Sequence, residues 1–270
     1  MNANANILQN FHVRVIGEGD NYLVLGHGIG TDQSIWTKIL PYFNYGIYRI
    51  VFYDLACAGT VNPELYDSVR YSTIDAYVDD LIQILDALNI NRCAFIGHST
   101  SAMVGILASI RCPDRFTILV LFGASPRYVN DDGYNGGIEI LDTVHVFQAM
   151  ELNYRAWVHG FVPEAIGADM PEAIQEFTRT LFNMRPDISR QALGTIIGTD
   201  IRGVLGQVTV RCHIIQTARD LSVPLSAAEY LRQHLGGRTT LENLKTEGHL
   251  PHLTAPALLG PAIWRSLRRP

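Results

Sequence analysis

Short, nearly unbroken apolar runs alternate along the chain with longer stretches in which apolar residues recur every three or four positions. The runs Val13–Ile16, Tyr22–Leu25, Arg49–Tyr53, Cys93–Ile96, Ile118–Phe122, His213–Gln216 and Leu241–Leu244 have the length of strands. Several lack the polar alternation of a half-exposed strand, which predicts strands covered on both faces. Ile74–Leu88 and Ser101–Ser109 carry the helical repeat. Strand–helix alternation predicts an α/β fold with a mostly parallel central sheet and helices on both faces. One interval departs from this rhythm. From about Tyr134 to Thr199 there is no good strand. Ile138, Leu141, Val144, Phe147 and Met150 recur at helical spacing. Tyr154–Phe161 follows, then Ile174, Phe177 and Leu181, then a segment after Pro186. The interval is too long for a structureless loop. It predicts a helical lid at about 134–199, inserted into a single domain spanning 1–270. No internal repeat or low-complexity segment interrupts it.

Cys93-Ala-Phe-Ile-Gly97-His98-Ser99-Thr100-Ser101-Ala102 reads as a strand, a tight turn and a helix start. A nucleophile elbow needs this context: the turn holds a serine in a strained conformation, with small residues two positions to either side. Gly97 fits; Ser101 stands where the pattern usually has glycine. A helix cap is the competing role for Ser99. A serine needs a base to take its proton. The chain order serine, acid, histidine supplies Asp220, after the strand at His213, and His249, in the stiff loop Glu247-Gly-His-Leu-Pro251. Asp220 is expected to fix the imidazole tautomer without taking the proton itself. His252 is the rival base and reads as a surface loop residue. His27, His98 and His213 read as structural, and Asp54 as a loop cap, since it precedes Ser99. The turn Leu25-Gly-His-Gly-Ile-Gly30 predicts the oxyanion hole, with the backbone amides of Ile29 and Thr100 as donors. It matches a dinucleotide glycine pattern only in part, and no Walker lysine follows. Val146, Trp157, Phe161, Phe177 and Phe182 on the lid, with Ile29 and Tyr128 beside the catalytic turns, predict a largely apolar cavity.

Composition narrows the setting. The chain has 270 residues, 47% of them apolar, a net charge of −5 and no basic stripe, which argues against nucleic acid. Arg265, Arg268 and Arg269 form a cationic cluster read as a solvated tail helix. Cys57, Cys93, Cys112 and Cys212 match neither a metal site nor a disulfide framework; Cys93 and Cys212 read as packed thiols. The Asn-rich start lacks signal-peptide features, and no apolar stretch is long enough for a membrane span. The expected location is cytoplasmic, with entry to the nucleus. The mechanism implies no cofactor and no metal. A dehalogenase would need aspartate where Ser99 stands.

With these residues in place the chain resembles the plant strigolactone and karrikin receptor family of α/β-hydrolases, over about Ile7 to Arg268. The matching segments are Gly30-Thr-Asp-Gln-Ser34, Tyr53-Asp-Leu-Ala-Cys-Ala-Gly59, Gly97-His-Ser-Thr-Ser-Ala-Met103, Ala124-Ser-Pro-Arg-Tyr128, Thr180-Leu-Phe-Asn-Met-Arg-Pro-Asp-Ile188 and Glu247-Gly-His-Leu-Pro251. Tyr154-Arg-Ala-Trp-Val-His-Gly-Phe161, Gln216-Thr-Ala-Arg-Asp220 and Leu244-Lys-Thr-Glu-Gly-His249 favour the strigolactone branch. The resemblance implies a slow serine hydrolase and hormone receptor. Ser99 would open a butenolide ligand, and a fragment would stay on His249. The rearranged lid would recruit an F-box protein of a ubiquitin ligase and a transcriptional repressor. The alternatives are a karrikin-type butenolide receptor, an ester or lactone hydrolase without a signalling role, and a binding protein with vestigial catalysis. Ile29 and Ile138 stand where the family usually has phenylalanine, which implies a wider and less aromatic pocket. Thr100 replaces valine, and Tyr128 is more typical of the karrikin branch. Ile138, Ile196 and Ser222 complete the expected lining.

Overall fold

The protein is described here by a computed structural model covering residues 3–268. Met1, Asn2, Arg269 and Pro270, the ends of the expected 1–270 domain and one member of the cationic cluster, lie outside the described residues. The seven apolar runs all form strands of one sheet. They are β1 (Arg14–Ile16), β2 (Asn21–Gly26), β3 (Tyr48–Phe52), β4 (Cys93–His98), β5 (Phe116–Phe122), β6 (Cys212–Arg219) and β7 (Thr239–Glu247). Their spatial order is β1-β3-β2-β4-β5-β6-β7. β1 pairs antiparallel with β3, and every other neighbouring pair is parallel. The unbroken apolar runs explain why: β4 is buried along its whole length and β5 at every position but Thr117. Parallel strands need long return connections, and helices supply most of them. These are α1 (Ala3–Asn10), α2 (Asp75–Ala87), α3 (Thr100–Arg111), α4 (Ile140–Ile166), α5 (Pro171–Asn183), α6 (Pro186–Gly198), α7 (Leu225–His234), α8 (Pro251–Thr254) and α9 (Pro256–Arg268). Four of them open on proline, whose fixed φ suits the first helical position and whose missing N–H costs nothing there.

From β2 the chain moves outward to β3, then returns across β2 to β4 and continues towards the other edge. β2 and β4 are therefore neighbours whose connections diverge. The crevice beyond their carboxyl ends is where open α/β sheets bind ligands.

α4, α5 and α6 fill the interval between β5 and β6. α4 runs through the two segments expected at Ile138–Met150 and Tyr154–Phe161. It breaks at Asn153 (φ −158°, ψ 86°), whose Oδ1 accepts the Ala156 amide at 3.0 Å and so caps the second half. Two details differ from the sequence reading. The helix begins at Ile140, while Ile138 bridges Val129, its amide donating to the Tyr128 carbonyl. Leu141 and Val144 are exposed, so the apolar repeat there does not all face inward. α1 was not expected from the Asn-rich start; Ile7 and Leu8 pack it against the core. No helix among the described residues is long and apolar enough to cross a membrane. Cys93 and Cys212 are buried, and desolvation pushes each thiol up to about 12. Arg265 pairs with Glu242, and Arg268 lies over Trp264.

Candidate active site

Ser99 sits between the last residue of β4 and the first of α3, at φ +52° and ψ −116°. This is a strained conformation for a residue with a Cβ. Its side chain makes no capping bond, so the strain does not serve the helix. Close packing holds the turn. A Cβ at Gly97 would lie 2.6 Å from the Ser101 carbonyl oxygen, and one at Gly28 would lie 3.0 Å from the Cβ of Ser99. The Ser99 amide donates to the Phe122 carbonyl at 3.0 Å. Ser101, where the pattern usually has glycine, donates its hydroxyl to the His27 carbonyl at 2.5 Å and fastens α3 to the loop after β2.

That loop brings Ile29 to the mouth of the crevice. Among the described residues its amide meets no protein acceptor. Thr100 opens α3, where the helix offers no acceptor for its amide either. Two N–H groups are thus left over beside Ser99, at the positive end of a helix. His27 holds the loop: its Nε2 accepts the Leu55 amide at 2.9 Å and its Nδ1 meets the Gly28 carbonyl at 2.9 Å. Asp54 takes the Gln33 amide and the Thr60 hydroxyl, each at 2.8 Å, which is the loop-capping role expected of it.

Across the crevice, His249 donates from Nδ1 to Oδ2 of Asp220 at 2.8 Å. The other carboxylate oxygen of Asp220 accepts the amides of Ser222 and Val223 at 2.8 and 3.1 Å. The imidazole is therefore fixed with Nδ1 protonated and Nε2 free to accept a proton. The histidine loop is clamped through its backbone. The His249 amide donates to the Ala165 carbonyl of α4 at 2.8 Å, His98 Nε2 donates to the His249 carbonyl at 2.9 Å, and Thr217 donates to the Gly248 carbonyl at 2.9 Å. The serine is not yet engaged. Its Oγ lies 3.3 Å from the Tyr128 hydroxyl, and this is its hydrogen bond, with none to His249.

His252 corrects the sequence reading. It is fully buried, not a surface residue, and packs edge-on against Trp36 and Phe122 beside His98. Burial drives its imidazole down to about 3, and burial with neighbouring histidines drives His98 well below the ordinary value. Both are neutral packing groups. His213 lies inside β6, bonded to Thr240 at 2.7 Å, away from the crevice.

The structure brings Ser99, Thr100, His249, Ile29, Tyr128 and Ser222 to the floor of one cavity of about 150 Å³. α4 contributes Val146, Trp157 and Phe161 to its roof; Phe177 comes from α5, Ile196 from α6, and Ile138 from the bridge segment. Trp157 and Phe161 stack with ring centres 5.1 Å apart. Phe182, expected with them, is absent from the lining and faces Arg155 instead. Leu181, Leu193 and Ile197 line the cavity without having been singled out. Their signal was present, since Leu181 lies one helical turn from Phe177 and Leu193 one turn from Ile196.

Comparison with known proteins agrees with this architecture. The Alpha/beta hydrolase family model matches residues 23–260. Strigolactone esterase D14 of Arabidopsis thaliana is 60% identical over 264 residues, covering 98% of each chain. Karrikin insensitive 2 receptor IA of Petunia hybrida is 48% identical, covering 94% of this chain and 93% of its own. Among solved structures, a hydrolase from Oleispira antarctica superposes with a TM-score of 0.94 at 25% identity, covering 99% of this chain and 98% of that one. The chain belongs to the α/β-hydrolase family of ester-bond hydrolases, within the group of strigolactone and karrikin receptors and closer to its strigolactone branch.

Proposed function

We propose that this protein is a strigolactone receptor with serine-hydrolase activity that cleaves a butenolide ligand with Ser99, His249 and Asp220. The observation that carries the reading is the 2.8 Å bond from His249 Nδ1 to Asp220, made behind an imidazole that lines the same cavity as Ser99 at its strained elbow. His249 Nε2 takes the Ser99 proton as Oγ attacks the lactone carbonyl carbon. The negative charge that develops on the carbonyl oxygen is met by the Ile29 and Thr100 amides, which need no reorganisation to receive it. Collapse breaks the carbon–oxygen bond to the ring oxygen, and His249 returns the proton to that oxygen. The acyl group then leaves Ser99 either to water activated by the same imidazole or to His249 Nε2 itself, and in both cases the carbon–Oγ bond breaks and Oγ regains a proton. Asp220 orients and stabilises the imidazolium throughout.

The mostly apolar lining suits a neutral, largely hydrocarbon ligand that presents one reactive carbonyl. Isoleucine at positions 29 and 138 leaves more room than phenylalanine would. The wider role is what the family resemblance implies: a ligand-bound cover that recruits an F-box protein of a ubiquitin ligase and a transcriptional repressor, in cytoplasm and nucleus.

Intact-protein mass spectrometry after incubation with a strigolactone tests the chemistry. A mass increment of the ring fragment, mapped to His249, is expected in the wild type and absent in Ser99→Ala. Undiminished hydrolysis by Ser99→Ala would remove the assignment. Capture of an F-box protein only in the presence of the ligand tests the signalling role. Turnover of simple esters, with no ligand-dependent capture, would leave a plain esterase.

A further inference from the structure

We infer that Tyr128 is a positioning residue that holds the Ser99 hydroxyl away from His249 until a ligand enters the cavity. The inference rests on the catalytic reading of Ser99. The Ser99 rotamer that meets the Tyr128 hydroxyl at 3.3 Å makes no bond to His249, so the nucleophile is parked. Tyr128 is buried, and among the described residues its hydroxyl has no other hydrogen-bond partner. Burial pushes its phenol pKa well up, with the Asp220 charge adding to the rise, so the group stays neutral and keeps its proton.

For Ser99 to turn to His249, it must abandon Tyr128. That would leave a buried hydroxyl unsatisfied in a mostly apolar chamber, which is unfavourable. A ligand with an acceptor oxygen beyond its ester group removes the penalty: the Tyr128 hydroxyl donates to that oxygen, and Ser99 is released to the imidazole. A lactone that carries an ether oxygen on its ring has such an atom close to the reacting carbon; a simple aryl ester does not. Tyr128 therefore couples arming of the nucleophile to the oxygen pattern of the ligand.

The hydroxyl is separable from the fold. The Tyr128 backbone is held independently, its carbonyl accepting the Ile138 amide at 3.1 Å. Tyr128→Phe keeps the ring and deletes only the parking partner.

The test is single-turnover acylation by p-nitrophenyl acetate, a small ester with no ether oxygen beyond its ester group. Releasing one modest hydrogen bond should make Tyr128→Phe acylate roughly three- to tenfold faster than wild type, with KM little changed. A merely structural role for the hydroxyl would slow the variant. An equal or slower rate overturns the inference. Ser99→Ala in the same assay separates the two claims. If it still releases nitrophenol at the wild-type rate, the catalytic reading falls. If it is silent while Tyr128→Phe is not accelerated, only the parking role falls. A high-resolution crystal structure of the unliganded wild type gives a readout free of any variant. Oγ beside Tyr128 is expected, and Oγ bonded to His249 Nε2 would overturn the inference.

Discussion

Asp220 uses its two oxygens differently: one is held by backbone amides and the other takes the imidazole. Because the first oxygen anchors the group, an amide at this position would keep the anchor but could present an N–H to His249. That would favour the wrong tautomer, with Nε2 protonated and unable to accept from Ser99. Asp220→Asn should lower kcat on the order of 10⁴-fold with little change in melting temperature; ester turnover and thermal unfolding measured on one preparation check both halves. Ser99, Asp220 and His249 were legible in the sequence because chain order and local turn chemistry are one-dimensional properties. His252 was not. Its place three residues after His249, past a proline, says nothing of the turn through α8 that swings its ring inward against Trp36 and Phe122. The parked serine was equally hidden, since no local pattern links position 99 to position 128.

At the scale of elements, the helices between β5 and β6 are fastened to the chemistry at named points. Thr180 of α5 donates to the Gly30 carbonyl at 2.6 Å, next to the Ile29 amide. Tyr154 of α4 donates to the Leu181 carbonyl at 2.9 Å and lies 3.0 Å from the Ser189 hydroxyl of α6, joining all three helices. Thr180→Val keeps the shape and removes the α5 bond, leaving a buried carbonyl short of a partner. A loss of about 1 kcal/mol is expected, or about 2 °C in melting temperature for a chain of this size. Acylation should slow as well, because the Ile29 amide loses its support. An unchanged melt and an unchanged acylation rate would show that Thr180 carries no such load. Helix existence was readable here from the spacing of Phe177, Leu181, Leu193 and Ile196. Helix orientation was not: Leu141 and Val144 share that spacing yet face outward, because periodicity marks a stripe without saying what it will meet.

The molecule as a whole carries a liability in acid. His252 is neutral in the fold down to about pH 3, against an ordinary histidine value of about 6.5. Below about 6.5 the unfolded chain takes up a proton that the folded chain refuses. Stability is therefore full above that pH and falls on the way down to 3, by about 1.4 kcal/mol per pH unit. His98 acts in the same sense. Asp80, raised to about 6 chiefly by burial, acts in the opposite sense between its ordinary value and 6. His252→Phe keeps an aromatic ring in the cluster and leaves Asp80 untouched. Urea melts at pH 7 and pH 5 should show a smaller loss of stability in the variant than in wild type; equal losses would remove His252 as the cause. The central strands could be read from the sequence because burial on both faces is written as unbroken apolar runs, as in β4 and β5; the edge strands β1 and β7 are largely uncovered and show only as short apolar stretches. The lateral order of the strands could not be read, since nothing in β2 or β4 names its neighbour, and α1 escaped notice because asparagines carry no helical stripe.

The amide of His249 hangs from Ala165, near the C-terminal end of the same helix whose Trp157 and Phe161 overlie the ligand space. The proton carrier is thus tied to the ceiling as well as to the floor, where His98 and Thr217 hold the same loop. Any displacement of that cover therefore bears first on one backbone bond of the catalytic loop, and the strength of that bond sets how far the cover can shift before the imidazole feels it.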